Sequence, residues 1–137
     1  MNEKNTMSAI HNSMYHQILK NRYATTVQVL IDLQILAKED YENWRFGRVD
    51  YLERVCKVNL SRLKFILGTM QEYGKKQGLK ESFTYYKKWG SKGKDTTKLR
   101  FSKSGNEHIE KSYAMHYVKV RKILRYQVIL WNRGLLW

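Results

Sequence analysis

The sequence predicts a mainly α-helical chain with one small antiparallel β-hairpin, an α+β single domain carrying extra helices at both ends. Three observations predict it. Apolar residues recur at helical spacing over much of the chain, as in Leu63, Ile66, Leu67 and Met70. Residues 83–89 are aromatic and Thr-containing, residues 99–102 alternate apolar and polar, and Gly90 and Gly93 lie between the two runs. Proline is absent, so glycine does the punctuating. A length of 137 residues fits one domain with its own core, and 42% hydrophobic content excludes compositional disorder.

Residues 8–21 read as a first helix through Ile10, Met14, Ile18 and Leu19. Thr25 and Thr26, residues of a type that caps helices, precede residues 27–37. That run fits two templates. Val27, Val29, Ile31, Leu33 and Ile35 alternate as in a strand, whereas its length and the adjacent Leu30 and Ile31 favour a buried helix; both readings stay open. Residues 38–43 read as a charged surface link. Residues 44–48 read as a tight turn holding Trp44 and Phe46 against the core.

Asp50 and Glu53 stand in capping-box register for a helix over residues 50–57, with Leu52, Val55 and Cys56 as its apolar face. Leu60, Leu63, Ile66, Leu67 and Met70 form the inner face of a second helix, residues 60–73. Gly74 and Gly78 end it, and Lys75 and Lys76 suit its negative end. Ser104, Gly105 and Asn106 open a further helix with Glu107 and Glu110 in its first turn and Ile109, Tyr113 and Tyr117 on one face. Residues 1–117 are expected to form one globular domain with its core over 25–117. Residues 118–137 are expected to be a basic, aromatic extension that packs on the domain or across a homodimer.

Charge narrows the function. The net charge is +14. Residues 1–53 carry 6 Lys/Arg and 7 Asp/Glu, residues 54–103 carry 14 and 3, and residues 104–137 carry 6 and 2. Such concentration is self-repulsive unless a polyanion neutralises it. Nucleic acid is the expected partner, because Lys and Arg contacts to phosphates release counterions. No run approaches the roughly 18 apolar residues of a membrane span. The first residues lack a secretory apolar core, and Cys56 stands alone. A cytoplasmic protein, bacterial or of a virus in its host cell, is expected, with membrane association and small-molecule substrates not expected.

The order of elements from Asp50 to Tyr117 resembles the winged helix-turn-helix superfamily of DNA-binding proteins. Residues 50–57 match the helix before the turn, and residues 60–73 the recognition helix. Gly78, Leu79 and Lys80 match its glycine-leucine ending, and residues 83–102 the strand-wing-strand. The likeness covers about half the chain, and its second helix is slightly long. It implies that Asn59, Ser61, Arg62, Lys64 and Thr69 face a major groove, with Arg62 suited to guanine and Asn59 to adenine. It implies that Lys87, Lys88, Lys92, Lys94, Lys98, Arg100 and Lys103 hold phosphates from the wing. Lysine outnumbers arginine six to one there, which suits backbone neutralisation more than base reading.

Tyr85, Tyr86, Trp89 and Phe101 interleave with these cations. They fit either the apolar face of the hairpin or a platform for unpaired bases. An RNA or single-strand binding subunit of a larger nucleoprotein is therefore an alternative to duplex DNA binding. A third reading is an inhibitor docking on an acidic protein. Catalysis finds little support. His11, His16, His108 and His116 include no pair at the i, i+4 spacing of a helical zinc site, and no CxxC or phosphate-loop motif occurs. Asp50 with Glu53 and Glu107 with Glu110 are explained by helix capping. Cys56 lies on an apolar helix side, as a core thiol does. No catalytic residue, metal or cofactor is expected.

Overall fold

The computed structural model describes residues 2–90 and 98–120. The domain is mainly helical with a small antiparallel sheet, the α+β class expected. Helix α1 (Glu3–Asn21) is longer than its periodicity indicated, because Asn2 accepts from Asn5 N and starts it five residues early. Arg22 ends it at φ 69, its N–H returning to Ile18. Strand β1 (Tyr23–Thr25) follows directly, and Thr25 caps α2 (Thr26–Asp32). The run over 27–37 is thus helical, but only for its first half. Gln34 at φ 61 turns the chain back, with the Ile35 N–H on Leu30 O.

Three expectations need correction. Residues 38–43 are not a link but most of helix α3 (Lys38–Arg45), with Glu39 and Asp40 in its first turn and Trp44 fully buried on its inner face. The turn comes only after it, at Gly47 with φ 75, and Phe46 stays exposed. The helix over 50–57 is a single 3-10 turn, Leu52–Val55. Glu53 forms no capping box. Its carboxylate instead accepts from Lys103 N at 2.9 Å and the Tyr113 hydroxyl at 2.7 Å, across the fold.

Helix α4 (Leu60–Lys76) matches the sequence reading, with Asn59 capping it and Leu63, Ile66 and Met70 buried. Leu60, read as an inner residue, is 52% exposed, since it stands at the first turn before the helix meets α1. The sheet differs from the expected hairpin. Strand β2 (Lys80–Phe83) ends at the first residue of the aromatic run 83–89, and helix α5 (Glu107–Tyr113) leads to strand β3 (Met115–Val118), where the spacing of Tyr113 and Tyr117 predicts a helical face. β3 lies between β1 and β2, antiparallel to both, with Tyr117 opposite Ala24 and Glu81. The two halves of the expected wing do meet, but as one bridge, Lys87 with Lys98, and the Leu99 N–H on Tyr86 O. Residues 121–137, the bulk of the basic extension, lie outside the described residues.

The core sits between α1, α4 and one face of the sheet. Ile10, Met14, Ala24, Leu30, Ile66, Met70 and Tyr117 form it, and Trp44, Phe101 and Tyr113 extend it under α3. Tyr117 reaches so close to α4 that a Cβ on Gly74 would lie 2.6 Å from its ring. Gly74 is therefore a packing residue inside the helix, not its stop.

Candidate nucleic-acid interface

The expected site residues divide between two places. The first is the outer face of α4. Ser61 and Lys64 are exposed there, and Gly68 and Lys75 continue the same stripe at i+4 and i+11 from Lys64. Gly68 is unusual: a Cβ at that position would meet nothing within 4 Å among the described residues, so no packing by them requires a glycine. Arg62 is half-buried and lines a cleft of about 310 Å³ with Thr6, Leu33, Gln34, Ile35, Lys57 and Val58. One expectation fails here: Thr69 is only 6% exposed, because its position puts it on the side of α4 that packs inward. Asn59 is exposed as expected, and its carboxamide oxygen also caps the helix, accepting from Arg62 N at 2.9 Å.

The second place is around the end of α3. Lys87, Lys88 and Lys103 are exposed. The Lys98 ammonium lies 3.9 Å from the centre of the Tyr85 ring. Lys88 runs alongside Gly47, where a Cβ would touch its chain at 3.0 Å. Arg100 is exposed yet committed: its guanidinium donates to Ser102 O at 2.8 Å and to Lys103 O, and stands 5.6 Å over Tyr51. Arg100 is therefore a local clamp rather than an open phosphate ligand. Lys92 and Lys94 lie outside the described residues.

Distant carboxylates hold this basic segment in place. Glu110 accepts from Phe101 N at 3.0 Å, Ser102 N at 2.7 Å and Ser102 Oγ at 2.6 Å. Glu53 accepts from Lys103 N, and the Trp44 indole donates to Arg100 O at 2.8 Å. The bonds to the two carboxylates are charge-assisted, a kind roughly twice as strong as neutral ones such as the Trp44 bond. Burial and the Glu53 carboxylate push the Tyr113 hydroxyl far up, so it stays a donor. The two helix-opening acids thus have different work: Glu110 ties a loop and Glu107 faces Lys111 at 3.6 Å.

The sequence reading missed Arg45. Its guanidinium stands 4.9 Å from the Tyr86 ring centre and 4.7 Å from that of Trp89. Its backbone oxygen accepts from Trp89 N at 2.7 Å. Placed in a supposed turn, Arg45 gave no signal; recognising residues 38–45 as a helix would have put it one position from buried Trp44. Cys56 is half-buried, and burial with nearby Glu53 pushes its thiol up to about 12, which suits an inert structural thiol. Among the described residues, no three His, Cys, Asp or Glu side chains gather as a metal site, and no helix is long and apolar enough to cross a membrane. No protein-family model, curated protein or solved structure matches this chain.

Proposed function

We propose that this chain is a non-catalytic nucleic-acid-binding protein that grips duplex DNA by its phosphates, as a regulator or accessory factor of a phage or mobile element. The observation that carries the reading is the uncompensated charge. Residues 54–103 hold 14 Lys/Arg against 3 acids. Among the described residues, Lys64, Lys75, Lys87, Lys88 and Lys103 take part in no ion pair. Gly68 adds support. A glycine inside an exposed helix costs about 1 kcal/mol against alanine, and a closely approaching backbone is one reason to keep it. Of the winged-helix pattern, α4 stands where the recognition helix is expected, whereas residues 50–57 form only a 3-10 turn and residues 83–102 meet through one bridge, so the reading rests on charge rather than on that likeness. The lone cysteine suits a reducing, intracellular compartment.

Single-stranded nucleic acid is a second reading, favoured by the Lys98–Tyr85 contact, which joins a phosphate-binding cation to a ring on which a base can stack. The test is a titration of purified protein against labelled duplex DNA, single-stranded DNA and structured RNA at low salt. Tightest binding to duplex supports the first reading, and tightest binding to single strands supports the second. No binding to any of the three refutes both and leaves an acidic protein as the partner to seek.

A further inference from the structure

We propose that the cleft formed by Tyr23, Thr25, Arg45, Thr84, Tyr86 and His116 binds a single nucleotide, its base against the rings and its phosphate on Arg45. The cleft measures about 300 Å³ and includes Tyr23, Thr25 and His116, which alternate along β1 and β3 with the core residues Ala24 and Tyr117. That volume lies at the small end for ligand pockets, in keeping with a mononucleotide.

Arg45 is the anomaly that points to an anion. Its Nε is buried and has no hydrogen-bond partner among the described residues. Its Nη1 makes one long contact, 3.3 Å, to the Tyr41 hydroxyl. Neither ion pair among the described residues includes it. A cation held by ring faces and one long hydrogen bond leaves donors unused at low dielectric, and a planar guanidinium matches phosphate oxygens two at a time. Among the described residues no carboxylate lines the cleft, so none of them repels an anion there.

The rings point to a base. Tyr23 and His116 stack at 5.7 Å and 14°, and Tyr23 is 41% exposed at the edge of the sheet, leaving ring surface open at the mouth. Tyr86 closes the inner end, edge-on to His116, with its hydroxyl 3.5 Å from Nε2. Burial lowers the His116 pKa, so the ring is neutral near pH 7 and serves as a stacking surface rather than a second cation. Thr25 and Thr84 supply small polar groups for a sugar or base edge. The nucleotide can be free or can be an unpaired residue of a nucleic acid; both present the same ring and phosphate. The cleft does not depend on the duplex reading, since a free nucleotide probes it with no duplex present.

The experiment is a calorimetric and fluorescence titration of the full chain with AMP, CMP, GMP and UMP, beside adenosine and inorganic phosphate. At least one monophosphate is expected to bind saturably, about tenfold or more tighter than adenosine or phosphate alone. Tyr23→Ala is expected to weaken that binding about tenfold, from the loss of one stacking face. Arg45→Lys should erase the preference for the monophosphate over adenosine. Tyr23 sits at an exposed edge, so its variant keeps the test decisive if Arg45→Lys fails to fold. A duplex with a 5′-phosphorylated single-strand overhang, compared with the free nucleotide, then tells which source is preferred; preference for either upholds the cleft. Absence of saturable nucleotide binding, equal binding of inorganic phosphate, or binding indifferent to Tyr23→Ala overturns it.

Discussion

The outer face of α4 and the basic segment that ends at Lys103 carry the same charge by opposite means. Helix α4 is organised by its own sequence: Asn59 caps it, Leu63, Ile66 and Met70 give it a buried face, and Lys75 and Lys76 sit at its negative end. The segment over residues 98–103 carries only a short local code, the inward Leu99 and Phe101 and the Arg100 clamp. It is positioned by Glu110, Glu53 and Trp44, whose bonds to it span 8 to 56 residues along the chain. The difference teaches that a cation's place can be written beside it or far from it, and that only the first kind is easily read.

The largest expected effect is therefore at a distant carboxylate. Glu110→Ala strips the partner from two backbone N–H groups and the Ser102 hydroxyl, and should lower stability by about 3 kcal/mol in a urea melt. Removing the local device should cost less: Asn59→Ala loses one cap bond, about 1 kcal/mol. If the cap variant proved the more damaging, the comparison between the two regions would be wrong.

Much of the fold was legible where residues carry their own instructions. The α4 core face and the Thr25 cap follow from short-range pattern, whereas residues 27–37 fit strand and helix templates alike and only the fold makes their first half helical. Residues 38–45 were missed because Lys38, Glu39, Asp40, Glu42 and Asn43 look like a solvated link, and a single Trp44 supplies the burial that makes them a helix. Residues 115–118 were missed because Tyr113 and Tyr117 share helical spacing, and only the pairing of β3 with both β1 and β2 overrides it. In the candidate interface, exposed lysines could be read as exposed. Thr69 and Arg100 could not be placed, since neither the inward turn of α4 nor the Ser102 and Lys103 carbonyls leave a local trace.

Smaller effects sharpen the account of α4. Gly68→Ala should raise stability by about 1 kcal/mol through helix propensity, yet weaken duplex binding if a phosphate backbone approaches that face. Stabilisation with unchanged affinity would remove Gly68 from the interface. The smallest expected effect concerns pH. Burial holds the His116 pKa below its ordinary 6.5, so the unfolded chain binds the proton more readily. Stability should therefore fall as pH drops below about 6.5 and level off below the folded value, and His116→Gln should flatten that slope.

The most direct test of the central claim is the salt dependence of duplex affinity for the parent protein, a Lys64→Ala/Lys75→Ala variant and a Lys87→Ala/Lys103→Ala variant. Phosphate gripping by both regions predicts a steep linear fall of log K with log salt, and a slope shallower by about 0.9 for each lysine removed in either variant. Slopes unchanged in both variants, or affinity indifferent to salt, would contradict it.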